Sequence, residues 1–181
     1  MELIKDTINV CNITAKGVSQ AMADGDVIVP DVKPDILKLL QVDAQACITD
    51  KYIENGRLVI NGRVDYKILY VPDSGEEKIK SILTSMDFRQ VVDSGGADED
   101  AKLLVKPYVE KVEFNTVNSR KMRIRTIIHI EYEVCKLNYI EVLKDIDDEL
   151  IEKEYTEIEF ENTVDISEHN FTLNEKIEVP N

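Results

Sequence analysis

The chain has no tryptophan, and only 6% of its residues are aromatic. Sugar-binding clefts usually stack rings on aromatic faces, so the composition argues against a glycan site. Three cysteines, Cys11, Cys47 and Cys135, are odd in number and far apart, with no Cys-x-x-Cys pair. That excludes the spacing of a disulfide framework or a structural zinc site, and the expectation is small buried thiols in a reducing compartment. The only histidines, His129 and His169, leave little room for general acid–base chemistry, and no His-x-x-x-His or Glu-x-x-His spacing offers metal ligands. No apolar run approaches the roughly 20 residues of a spanning helix. The first six residues lack the apolar core of a secretory signal. A soluble cytosolic protein without membrane insertion is therefore expected. Basic charge is also scarce: 22 Lys and Arg stand against 36 Asp and Glu, a formal net charge of −14. Phosphate backbones need a concentrated basic face, so nucleic acid is not an expected partner.

The remaining chemistry is thin. Gly95-Gly96 is not followed by Gly-Lys-Ser/Thr and so forms no phosphate loop, and no serine nucleophile elbow occurs. Asp98-Glu99-Asp100 can attract calcium but lacks the Asp-x-Asp-x-Asp-Gly order of a dedicated loop. Carboxylates are plentiful, but a hydrolase using paired acids would need two of them to converge in a cleft. No catalytic residue, metal site or cofactor is expected, and the chain reads as a non-enzyme.

What the sequence does carry is strand periodicity. Leu58, Ile60, Val64, Tyr66, Ile68 and Tyr70 share one parity, and Arg57, Asn61, Arg63, Asp65 and Lys67 the other. Such alternation buries one face and wets the other. Asn55-Gly56 just upstream is a strong hairpin turn, so residues 41–70 read as one long hairpin. Met122, Ile124, Ile128, Ile130, Tyr132 and Val134 alternate in the same way, with Thr126 in their midst, and 103–116 is their expected partner through Val117-Asn118-Ser119-Arg120. Residues 79–93 read as a further strand, followed by an exposed, mobile loop from Ser94 to Asp100. Residues 3–29 read as a pair of strands turning at Asp24-Gly25. Residues 36–40 fit strand or short helix, and a strand continues from 137 to about 146. Leu143, Ile146, Leu150 and Ile151 recur at helical spacing, which predicts a short helix near 146–154. Residues 155–181 return to strand character. The fold class is all-β and mainly antiparallel: a β-sandwich or barrel-like domain with long hairpins and at most one or two short helices.

Ile8, Asn12, Val29 and Pro30 recur at one fixed offset as Ile158, Asn162, Val179 and Pro180. A fixed-offset repeat points to an array of similar units. The expected organisation is a domain over 1–140 (lead-in strands 1–30, body 31–135). Residues 141–181 would then be an acidic linker with a short helix and the lead-in strands of a second repeat. In 141–161 acids far outnumber the two lysines, as suits a solvated linker or an acidic docking face. Arg120, Lys121, Arg123 and Arg125 are the one compact basic patch and the candidate interaction surface. The patch can receive an acidic surface of a partner or of a neighbouring copy, and cross-strand ion pairing explains it equally well.

Val29-Pro30-Asp31-Val32-Lys33-Pro34-Asp35-Ile36, Leu40-Gln41-Val42-Asp43-Ala44 and Gly62-Arg63-Val64-Asp65-Tyr66-Lys67-Ile68-Leu69-Tyr70 together resemble the SPOCS domain of clostridial spore-forming anaerobes. The resemblance covers about 30–135. It implies a scaffold or adaptor in spore-coat assembly, working in the mother-cell cytoplasm at the forespore surface. Other spore-coat morphogenetic proteins are the implied partners, with an adjacent SPOCS-like copy or self-association also possible. Family members often carry tandem copies and a terminal LysM module. No LysM segment is recognisable here, so wall-glycan binding does not carry over. Pro30 and Pro34 fix φ and stiffen the approach to the first core strand, a structural rather than a ligand-binding role. A carbohydrate- or peptidoglycan-associated β-domain and a carboxylate hydrolase stand as the alternatives.

Overall fold

A computed structural model describes residues 2–75, 79–147, 152–157 and 159. All regular structure among them is β, in six strands: β1 (Glu2–Ile28), β2 (Ile36–Glu54), β3 (Arg57–Pro72), β4 (Lys80–Asp93), β5 (Lys102–Asn118) and β6 (Lys121–Asp147). They form two three-stranded sheets, ordered β1-β6-β5 and β2-β3-β4. The chain divides into two compact units, Cys11–Leu137 and Met1–Val10 with Asn138–Asn181. Each is treated separately.

In the unit Cys11–Leu137 the alternating strands pair as their sequences predict. The β2–β3 hairpin turns at Asn55 and Gly56, both at positive φ (51° and 71°), and pairs from Glu54–Arg57 back to Ile36–Pro72 with three register shifts. Strand β4 continues the sheet antiparallel to β3, from Arg57–Asp93 to Tyr70–Lys80. Strands β5 and β6 pair from Asn118–Lys121 to Lys102–Cys135. Residues 36–40, where strand and helix both fitted, are strand. The inward faces of both sheets meet in one core that includes Leu58, Ile60, Val64, Ile68, Ile124, Ile128 and Ile130. Within it Tyr66 and Thr126 are both buried, and their hydroxyls lie 2.7 Å apart across the sheet interface. A buried hydroxyl without a partner costs about 1–3 kcal/mol, so each satisfies the other. Burial raises the Tyr66 phenol above its ordinary pKa.

Four expectations need correction. Residues 3–29 are not two strands turning at Asp24-Gly25; β1 runs unbroken through both. Gly25 is not at positive φ, and Asp24 is engaged by Arg123 and Arg125 of β6. Gly25 instead allows close approach, since a Cβ there would press on the Met86 thioether. The segment from Ser94 to Asp100 is not a loose loop at its start. Ser94 is fully buried, its hydroxyl donates to the Gly56 carbonyl at 2.7 Å, and its own carbonyl accepts from the Thr14 hydroxyl at 3.0 Å. The three cysteines are not all free thiols. Cys11 of β1 and Cys135 of β6 form a disulfide with Cα atoms 5.8 Å apart, leaving Cys47 alone free. A sequence separation of 124 hides that contact until the strands are paired.

The fourth correction falls in the unit Met1–Val10 with Asn138–Asn181. Strand β6 continues past 137 to Asp147, as predicted, but the helix near 146–154 is not seen in the described residues there. Ile146 and Asp147 end the strand, and 152–157 have no regular structure. Residues 148–151, the middle of that stretch, lie outside the described residues. The Asp145 carboxylate accepts from the Ile146 backbone N–H, the Lys153 ammonium and the Tyr155 hydroxyl. Those three donors, Lys153 foremost, hold its pKa down at about 2. Lys5 pairs with Glu141 at 2.8 Å and Lys144 with Asp6 at 3.4 Å, joining β1 to β6. The expected strands over 155–181 lie largely outside the described residues, and 155–157 and 159 have no regular structure.

The Ser94 anchor generates a prediction. Gly95 sits at φ +66°, and a Cβ there would run into the Thr14 carbonyl, whereas Gly96 at φ +75° faces open space. G95A should therefore cost about 2–4 kcal/mol from strain and steric overlap together. G96A should cost about 1 kcal/mol from backbone strain alone. Urea denaturation of the two variants measures the difference, and equal losses would contradict the anchoring role.

Candidate functional site

The segment carrying the proline motif is where the chain passes from one sheet to the other. Its ends are apolar and buried: Val29 and Ile36 both belong to the core. Between them Pro30, Asp31, Val32, Lys33, Pro34 and Asp35 form a tight crossover. The Lys33 N–H donates to the Pro30 carbonyl at 2.9 Å, closing a turn. The Pro34 carbonyl accepts from the Tyr70 hydroxyl at 3.1 Å, and the Asp35 carbonyl accepts from the Asp73 N–H at 2.9 Å.

The β5–β6 turn grips this crossover from the other sheet. The Val29 N–H donates to the Arg120 carbonyl (2.8 Å), and the Ile36 N–H donates to the Ser119 carbonyl (2.7 Å). The Arg120 guanidinium donates to Asp35 Oδ1 at 2.7 Å, to Asp31 Oδ1 at 3.1 Å and to the Val29 carbonyl at 3.1 Å. Ser119 Oγ completes the set by donating to Asp35 Oδ2 at 2.8 Å. Arginine suits this position because its planar fork serves several acceptors at once, which a lysine ammonium cannot match in geometry. The Ser119 hydroxyl and then Arg120 hold the Asp35 carboxyl below its ordinary pKa. Asn118 Oδ1 accepts from the Arg120 N–H at 2.9 Å, which shapes the turn that presents the guanidinium.

The rest of the basic patch is matched by acids of β1. Lys121 pairs with Asp26 at 2.7 Å, Arg123 with Asp24 at 2.9 Å, and Arg125 with Asp24 at 3.1 Å. Arg123 and then Arg125 depress the Asp24 pKa. The structure thus brings all four predicted site residues to one end of β6 and supplies each with an intramolecular carboxylate. Sequence reasoning missed those partners, Asp24, Asp26, Asp31 and Asp35. Only the clustering of acids upstream of a basic strand hinted at them.

The other candidates fall apart spatially. His129 lies on the polar face of β6, with Glu110 at 2.9 Å and Gln20 at 3.5 Å. His169 lies outside the described residues. Asp98 is paired with Lys136. Among the described residues no three His, Cys, Asp or Glu side chains are placed to hold a metal ion. A shallow cleft lined by Thr49, Asn61, Gly62, Asp87, Phe88 and Arg89 opens beside the register shift in β2.

These features define a two-sheet β-domain whose most elaborate polar structure is a crossover clamp rather than a cleft. Residues 35–117, the stretch from β2 through β5, match the family described as SipL, SPOCS domain. The match is narrower than the expected 30–135. It begins at the clamped Asp35 and stops just before the Asn118-Ser119-Arg120 turn. Neither the curated proteins nor the solved structures give a significant match to the chain.

The clamp makes stability depend on pH with a defined sign. Asp24 and Asp35 have folded pKa values below the ordinary 3.8, so their stabilisation is complete above the unfolded value and fades as pH falls through the folded one. The urea midpoint should drop as pH is lowered from about 5 towards 2.5. D35N, which cannot titrate at this position, should be less stable at neutral pH and approach the wild type in acid. Parallel curves for the two proteins would contradict the assignment.

Proposed function

We propose that this chain serves as a non-enzymatic scaffold or adaptor domain in endospore coat assembly and acts through protein–protein contacts. The observation that carries the reading is the SPOCS match across the β2–β5 body. Its working parts are sheet faces and strand edges, the features this fold offers in greatest extent. Other coat morphogenetic proteins or a neighbouring SPOCS copy are its partners, and the mother-cell cytoplasm at the forespore surface is its place of action. No helix among the described residues is long and apolar enough to cross a membrane.

Within this reading the stretch Arg120–Arg125 is the candidate contact for an acidic partner. Arg123 and Arg125 keep about half of their side-chain surface exposed (56% and 50%). An incoming carboxylate must compete with Asp24 and Asp26, so the contact would be reversible and sensitive to salt.

Deletion of the gene in a sporulating host tests the proposal. The expected result is a mislocalised coat with normal vegetative growth. A normal coat after deletion contradicts it.

A further inference from the structure

Strand β4 is an edge strand without the usual protection. Among the described residues it bonds to β3 alone, and it pairs with β3 along its whole 14-residue length without a register shift. By contrast, β2 meets β3 with three register shifts, and β5 carries Pro107 and two shifts against β6. Bulges and prolines are the common means by which an edge avoids recruiting another chain. Among the described residues the start of β4 is covered, where the Lys33 ammonium donates to the Ser81 carbonyl at 2.6 Å.

The charges along this edge are only loosely engaged, since Arg63, the β3 residue opposite Asp87, pairs with Asp65 instead. Asp87 is exposed and has no ion pair among the described residues, and Arg89 reaches Glu54 only at 3.9 Å. Leu83 is 76% exposed and Val91 38%. The charges sit two residues apart on the outward face, flanking Phe88, whose own side chain is buried.

We propose that β4 pairs antiparallel with β4 of a second copy of this chain, centred on Phe88 facing Phe88. Opposed side chains in an antiparallel pair share a face, so a two-fold axis between the copies must pass through a residue. Centring on Phe88 sets Asp87 of each copy opposite Arg89 of the other, twice by symmetry, and Met86 opposite Gln90. Centring on Asp87 would align Leu83 with Val91 but oppose two like charges at the axis, which is unfavourable. Centring on Met86 leaves Asp87 opposite Ser85 and Arg89 opposite Leu83, so neither charge is matched. Charge therefore selects one register. The product is a continuous sheet across two copies, joined through backbone hydrogen bonds.

This inference deepens the adaptor reading by naming a self-contact, but its test uses the purified chain and no sporulating cells, so the two can fail separately. Sedimentation equilibrium over a concentration series reads the association of four proteins: wild type, D87R, R89D and D87R/R89D. Circular dichroism and melting temperature confirm that each is folded. The wild type should show a monomer–dimer equilibrium. Each single reversal should weaken it by about tenfold or more, because like charges then face each other twice. The double swap should restore it to nearly the wild-type value. A wild type that stays monomeric at every concentration would overturn the proposal. So would a dimer indifferent to the single reversals, or a double variant as weak as the singles.

Discussion

The grip of the β5–β6 turn on the crossover between β1 and β2 is the constraint on which the two-sheet arrangement rests. The chain leaves the β1-β6-β5 sheet once, through residues 29–35, and returns once, through 94–101. Both passages are fastened where they cross. At the first, Arg120 and Ser119 hold two backbone N–H groups, one carbonyl and two carboxylates of the crossover. At the second, Ser94 bonds the Gly56 turn and Thr14 together. Between them the Tyr66–Thr126 pair ties the sheets through the core. Apolar burial supplies the bulk of the driving force, but it is non-directional and fixes neither register nor sheet orientation. The polar fastenings supply that direction, and they explain why a proline-rich motif precedes the first matched strand. Pro30 and Pro34 restrict the crossover before Arg120 engages it, which lowers the entropy lost on ordering it.

The same economy governs charge. On a chain with a formal net charge of −14, several cations are placed where they join elements distant in sequence. Arg120 reaches Asp31 and Asp35, Lys121 reaches Asp26, Arg123 and Arg125 share Asp24, and Lys136 meets Asp98. Most are exposed pairs, individually worth little, and their value lies in selecting which strand lies beside β6. Asp87 stands outside this scheme, and that gives the β4 edge its character.

Much of the fold was legible because strand alternation is a local signal. The Asn55-Gly56 turn, the β5–β6 pairing and the parity of His129 follow from residues within one hairpin. The errors came from contacts invisible at short range. Asp24-Gly25 has the chemistry of a turn, but cross-strand arginines and the proximity of Met86 keep it extended. Cys11 and Cys135 look unrelated until β1 lies beside β6. Leu143 and Ile146 share a helical spacing, yet both belong to β6. The basic patch was found as a cluster, but its partners lie about 90 to 100 residues upstream, as in the pairs of Arg120 with Asp31 (89) and of Arg125 with Asp24 (101). Only tertiary pairing reveals what it does.

The direct measurement of the central claim is a double-mutant cycle on the crossover clamp, using D35A, R120A and the double variant, read as urea midpoints at neutral pH. If Arg120 stabilises the fold through Asp35, the double variant loses clearly less than the sum of the two single losses. Simple additivity of the two would show that the side chains act independently and that the crossover is held by something other than this grip.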